Sequence, residues 1–327
     1  FLDLKAAYFW GYYYLEPETG RDVNAHFDLN DNMLYYNSGY YYLADRTRFQ
    51  ANASLTHYAE DFIKGSHDFK FGVEVEHSWS RSQYGFTGQN HTYYVDYWYP
   101  PYYTGPYLKY QYEGYDFNVR YTRLEGFAQD SWKISSRLNL NFGVRLSQNW
   151  GTIKEVEGVV YNTNRIAPRV GFAFDLFGDR STILKAHYGQ FTEGMFAAYH
   201  ERLTPKWYDY IEYYWDGTDW VEYARTAQNW KMDDKIKHPY MDQFTASIER
   251  ELFRDASVTL SFIYRNWKNQ IGVYDTLAQY APYLYRSTTG YYVAPLDKVF
   301  TVYQLTSGDA HEFLIENIKQ SADRPYL

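Results

Sequence analysis

Side chains able to do covalent chemistry are few and scattered in these 327 residues. There is no Cys, which removes thiol nucleophiles, thiolate zinc sites and iron–sulfur clusters. The His residues, among them His57, His67, His77, His187 and His200, form no His-Glu-x-x-His pair, and no zinc centre is expected. The sequence holds no nucleophile elbow, P-loop or dinucleotide fingerprint. No catalytic residue, metal site or cofactor is therefore assigned, and the chain is not expected to be an enzyme. Two acidic stretches, Asp28-Leu29-Asn30-Asp31-Asn32 and Asp216-Gly217-Thr218-Asp219, have the composition of loose calcium-binding turns. Neither has the spacing of an EF-hand loop closed by Glu, and Asx-rich turns also form without metal.

Binding chemistry is abundant instead. The chain has 40 Tyr, 21 Phe and 10 Trp, or 22% aromatic residues. One run, Thr92–Tyr115, reads TYYVDYWYPPYYTGPYLKYQYEGY and supplies the ligand-binding candidates Tyr93, Tyr94, Tyr97, Trp98, Tyr99, Tyr102 and Tyr103. A second, Trp207–Trp230, adds Trp207, Tyr213, Trp215 and Trp220. Tyr and Trp offer large, rigid contact areas at low entropic cost. Their faces suit sugars, aromatic ligands or peptides. The same rings could instead pack their loops together, and the two runs could form one aromatic vestibule.

The elements carrying these runs follow from composition and periodicity. Mean hydropathy is −0.63. No apolar run approaches the roughly 18–20 residues of a spanning helix. The aromatic content excludes disorder. The net charge of −8 disfavours nucleic acid as a partner. The clear period is two. Phe69, Phe71, Val73 and Val75 alternate with Lys70, Gly72, Glu74 and Glu76, and Leu138, Leu140, Phe142, Val144 and Leu146 alternate with Asn139, Asn141, Gly143 and Arg145. Val170, Phe172 and Phe174 alternate with Arg169, Gly171 and Asp175. Such alternation puts one set on each face of a strand.

Tight polar turns fall at Lys64–His67, Ser135–Arg137, Gly178–Ser181 and Phe253–Ala256. Longer segments separate these hairpins: Leu15–Asp45, Gly85–Asn118, Gly151–Arg165, Glu193–His238 and Val273–Asp297. In an up-and-down meander, short and long connections in strict alternation fall at opposite ends. That asymmetry predicts an all-β, antiparallel up-and-down transmembrane β-barrel segment in the bacterial outer membrane, with short periplasmic turns, long extracellular loops and lipid as a partner. A soluble β-sandwich would explain the alternation but not the loop lengths. The apolar set then faces lipid. Lys70, Glu74, Glu76, Arg145, Arg169 and Asp175 become lumen-facing candidates that solvate a wet interior or meet an internal plug.

Four segments carry a family resemblance: Gly65–Glu74 (GSHDFKFGVE), Gly126–Trp132 (GFAQDSW), Ile166–Asp175 (IAPRVGFAFD) leading to Thr182–Phe191, and His238–Phe244 (HPYMDQF) followed by Ile248–Leu252. Together they resemble the barrel of TonB-dependent outer-membrane receptors, in particular the Oar-like branch with a carboxypeptidase-regulatory-like domain. The resemblance implies a 22-stranded barrel, of which residues 1–327 would supply about nine or ten strands as one partial domain. It also implies an internal plug, TonB as a partner and TonB-coupled uptake of a solute whose identity the sequence leaves open. The plug, TonB box and C-terminal strands are not in this sequence, which is expected to be an internal piece. The alternative is an outer-membrane adhesion or structural protein whose long loops make contacts without transport.

Overall fold

The period-two segments become strands, and most are longer than periodicity alone delimits. The computed structural model describes residues 1–101, 103–112, 114–195, 197–205, 209–226, 228–282, 290–293, 298–301, 303–306 and 311–318. In chain order the strands begin with β1 (Leu2–Leu15), β2 (Ala25–Asp28), β3 (Met33–Tyr35), β4 (Tyr40–Glu60), β5 (Ser66–Phe86), β6 (Thr92–Tyr99) and β7 (Tyr103–Gln111). There follow β8 (Tyr115–Lys133), β9 (Leu138–Ile153), β10 (Val156–Asp175), β11 (Thr182–Thr192), the short helix α1 (Ala197–Glu201), β12 (Tyr210–Trp215), β13 (Trp220–Thr226) and β14 (Gln228–Met232). The last are β15 (Tyr240–Phe253), β16 (Ala256–Lys268), β17 (Ile271–Asp275), β18 (Tyr280–Pro282), β19 (Gly290–Val293), β20 (Lys298–Thr301), β21 (Tyr303–Leu305) and β22 (His311–Asn317).

Nine of these form one antiparallel sheet in the order β1-β4-β5-β8-β9-β10-β11-β15-β16. It is a meander: each strand pairs with the next of the set, and β1 and β16 each keep one edge unpaired among the described residues. The four tight turns lie together at one end, at the positions their Gly, Ser and Asp content indicates. The register aligns the apolar sets into continuous rows. One row runs Leu4, Ala53, Val73, Gly126, Leu146 and Ile166 across six strands. These side chains stay exposed although apolar, as with Leu4, Val73, Leu146 and Ile166. A face this apolar and this uncovered fits hydrocarbon rather than water. The opposite face carries Glu74, Glu125, Arg145 and Arg165.

The other end departs from the sequence reading in two ways. Gly151–Arg165 is not a long loop. Strands β9 and β10 run on past the apolar belt and join through a two-residue turn, with Tyr161 pairing Gly151 and Val156 pairing Ile153 across a register shift. Polar residues on both faces of this extension hid it, because period-two contrast marks only the part of a strand that has an oily side. Three of the remaining segments also carry regular structure among the described residues. They contribute hairpins to a second, six-stranded sheet of order β13-β12-β7-β6-β2-β3. Within it β2 and β6 pair in parallel, so segments about 70 residues apart in sequence are stitched side by side. The main buried cores also lie at this outer end. Tyr112, Tyr115, Phe117, Val119 and Ile153 form one, and Tyr161, Met195, Ile236 and Ile315 another. Segments after β11 and β16 therefore pack onto the lumen face of the wall at its outer mouth.

Candidate functional site

The six-stranded sheet sorts the aromatic candidates by face. Alternation turns Tyr93 and Val95 toward the wall; Val95 is buried, and Tyr93 meets Phe86 at 5.5 Å and Tyr110 at 6.5 Å between ring centroids. Tyr94 points the other way. It stacks on His26 at 4.8 Å and meets Trp220 at 6.0 Å, and Trp220 meets Trp215 at 5.5 Å. The register explains the cluster: His26, Tyr94, Lys109 and Tyr213 stand opposite one another on β2, β6, β7 and β12. Lys109 Nζ lies 4.4 Å from the centre of the Tyr213 ring and 4.9 Å from that of Trp220. Ring faces attract the ammonium, while burial pushes its pKa below the usual lysine value. His26 Nδ1 is 2.8 Å from Asp96 Oδ2, which ties β2 to β6 through side chains as well as backbone.

The other candidates lie elsewhere. Tyr97 stacks on Tyr99 at 5.9 Å near the tip of the β6–β7 hairpin, where Trp98 and Tyr99 are exposed. Tyr102, Trp207 and the side chain of Tyr103 lie outside the described residues. The fold thus brings Tyr94, Tyr213, Trp215 and Trp220 onto one surface and separates Tyr93 from them. Sequence reasoning missed Lys109, His26 and Asp96. Lys109 could have been found from its place in the alternating YLKYQY stretch. His26 could not, since a parallel pairing between distant segments leaves no local signal.

The acidic turns use their carboxylates locally. Asp28 accepts from the Asn30 amide at 2.8 Å, Asp31 from that of Met33 at 2.9 Å, and Asp216 from those of Thr218 and Asp219 at 2.7 and 2.8 Å. Among the described residues, no three His, Asp or Glu side chains converge as metal ligands.

On the lumen face, Glu74 and Glu76 join Glu125 and three arginines in one network. Glu74 stands directly opposite Glu125 in the β5–β8 register, a repulsive pairing by itself. Arg145 bridges the two carboxylates, at 3.4 Å from Glu74 and in direct contact with Glu125. Arg123 lies 2.8 Å from Glu76 and 3.3 Å from Glu74, and Arg48 lies 3.8 Å from Glu76. Gln50 donates to Glu74 at 2.9 Å, and the Tyr121 hydroxyl donates to Glu76. Glu76 and Glu125 are nearly buried. Arg123 and Glu125 were legible in principle, since they alternate with Thr122, Leu124 and Gly126. Lys70 and Arg169 line a recess beside Arg145, and Arg169 lies over the Phe191 ring at 4.5 Å. Asp175 sits at the periplasmic turn, accepting from the backbone amides of Gly178 and Arg180 at 2.9 Å each. The arrangement is a charge-balanced wet wall beneath an aromatic outer surface, and it can hold and orient a ligand.

The family model described as an outer membrane beta barrel domain matches residues 17–153. No curated protein matches the chain. Among solved structures, the chain is similar to the outer membrane transporter YddB from Escherichia coli, with 13% identity, 97% of this chain and 35% of that one covered, and a TM-score of 0.54. It is also similar to P. aeruginosa FpvA bound to a heterologous pyoverdine, with 11% identity, 83% and 31% covered, and a TM-score of 0.47. FpvAI in its complex with pyocin S2 has 13% identity, 72% and 27% covered, and a TM-score of 0.46. The chain spans about a third of the length of these solved chains. At such identity the likeness is one of fold. The matched domain, the meander and the two-faced sheet define a segment of a bacterial outer-membrane β-barrel. The protein resides in the outer membrane, with the fold of an outer-membrane transporter.

Proposed function

We propose that the chain is the wall and outer surface of a TonB-dependent receptor, similar to the Oar-like branch, that takes up a solute by energy-coupled transport. The observation that carries this is the six-stranded outer sheet. Three inter-strand segments combine to present Tyr94, Tyr213, Trp215, Trp220 and Lys109 on one face above a polar lumen. A solute captured there would pass along the Glu74–Glu76–Glu125 wall once an internal plug moved aside. The charged wall gives such a plug paired groups to exchange with. Lys70, Arg169 and their neighbours would be its contacts.

The alternative, an adhesion protein, draws on Trp98 and Tyr99, which stay exposed at a hairpin tip where a second surface could reach them. Uptake separates the two. Cells with and without the gene are incubated in a complex medium, and solute depletion is followed by mass spectrometry with and without a protonophore. The receptor reading expects at least one solute to be removed only by gene-bearing, energised cells. Unchanged depletion together with gene-dependent cell attachment would establish adhesion instead.

A further inference from the structure

Beneath the outer sheet, on the lumen face of the wall, lies a cavity of about 350 Å³. It is bounded by β1, β4, β5 and β8 on one side and helix α1 on the other, and lined by Tyr13, Tyr42, Tyr84, Tyr115, Arg46 and Glu201. Its size falls within the range of small-molecule sites. The rings form a patchwork along the wall: Tyr13 meets Tyr42 at 6.0 Å, and Tyr84 stacks on Tyr115 at 5.7 Å.

Glu201 differs from the lumen acids of the ion-pair network. It is half-buried at the cavity edge, and its carboxyl has no hydrogen-bond or ion-pair partner among the described residues. Burial raises its pKa, opposed by the charges of Arg46 and Arg202. A half-buried carboxyl without a protein partner keeps its acceptor sites open to a ligand's hydroxyls. The Arg46 guanidinium is fixed by donating to the carbonyls of Asp45 and Arg81 at 3.0 and 2.8 Å and to Ser82 Oγ at 2.9 Å. The lining thus holds one fixed cation and one unpartnered carboxyl, with no excess charge to demand an ion. Flat ring faces suit the C–H face of a sugar, and a carboxyl and guanidinium at the edge suit its hydroxyls.

We propose that this cavity binds one residue of a neutral glycan, with the Tyr13 and Tyr42 rings stacking on the sugar and Glu201 and Arg46 bonding its hydroxyls. The proposal rests on the receptor reading only for the side from which the ligand arrives, and binding can be measured without transport. The protein is purified in a polyoxyethylene detergent, because glycosidic detergents would compete. Maltotetraose, cellotetraose and chitotetraose are titrated by calorimetry, with triglycine as a zwitterionic control. At least one oligosaccharide is expected to bind saturably, with affinity falling about tenfold or more in Glu201→Ala and in Tyr13→Ala, a loss of about 1.4 kcal/mol or more. Leu277→Ala, at an exposed position outside the cavity lining, should leave it unchanged. Glu201 has no partner to lose, and heat-modifiable gel mobility confirms that each variant is folded. The proposal fails if none of the sugars saturates by about 10 mM, well above the about 1 mM of weak specific binding. It fails equally if both cavity variants bind as the parent does, or if triglycine binds more tightly than every sugar. Binding intact in cells that deplete no solute would sink the transport reading alone. Energised uptake of a solute in a protein that binds no sugar would sink the glycan assignment alone.

Discussion

Neighbouring residues of β9 answer to different solvents. Val144 stands in the lipid-facing row and Asn141 on the lumen face. Val144→Arg should cost roughly 2–4 kcal/mol near the bilayer midplane, and Asn141→Arg much less. Urea titration of the refolded protein in lipid checks this, and equal costs would overturn the face assignment. Within the lumen, Arg123 is the shared partner of Glu74, Glu76 and Glu125. Arg123→Ala should cost about 1.5–3 kcal/mol by removing the closest cation of buried Glu76 while Arg145 still bridges Glu74 and Glu125; Lys70→Ala, which breaks no ion pair among the described residues, should cost little in the same titration. Two histidines outside the membrane-spanning strands make loop docking pH-sensitive. Burial pushes His200 and His238 from 6.5 down to about 4. The undocked chain takes up these protons first, so docking is unaffected above about pH 6.5 and weakens as pH falls toward 4. Hydrogen exchange, corrected for its intrinsic pH dependence, should show protection of Ala197–Glu201 and Ile236–Tyr240 at pH 7.5 and its loss near pH 4.5.

At the scale of elements, the turns and the outer sheet invite separate tests. Gly65 has a φ of +80°, and a Cβ there would meet the Lys133 carbonyl oxygen at 2.0 Å. Gly65→Ala should therefore disturb the β4–β5 turn and its neighbour together, reducing the yield of folded, heat-modifiable protein. His26→Ala removes the bond to Asp96 and the stack on Tyr94. It should raise hydrogen exchange in β2 and β3 while leaving β4 and β5 protected. The contrast shows what a single sequence can reveal. Strands β5, β9 and β10 were legible because lipid on one side and water on the other write period two into them, and the turns because Gly65 and Asp175 sit where geometry demands them. The outer sheet was not legible. Its strands carry aromatics on both faces, as in Tyr93 and Tyr94, so no contrast marks them, and their partners come from other segments. The setting of the binding candidates therefore differs from the expected one: a sheet face stands where long loops were expected, and Lys109 and His26 join the cluster only once distant hairpins are laid side by side.

At the scale of the molecule, the two ends of the meander face different compartments. This chain has no Cys, so single introduced thiols report cleanly. Thr218→Cys in the β12–β13 turn should react with a membrane-impermeant maleimide on intact cells. Ser136→Cys in the β8–β9 turn should react only after the outer membrane is opened. Labelling of Ser136→Cys on intact cells would invert the proposed orientation. The wall that separates these compartments has nine strands in strict alternation of direction, so β1 and β16 both ascend toward the outer end. Bringing them edge to edge would create a single parallel seam in a wall whose every other seam is antiparallel, and a bilayer leaves no backbone edge unbonded. A closed, wholly antiparallel cylinder therefore needs an odd number of further strands, and those that meet β1 and β16 must both descend toward the periplasm. Parity alone sets that requirement on whatever completes the ring.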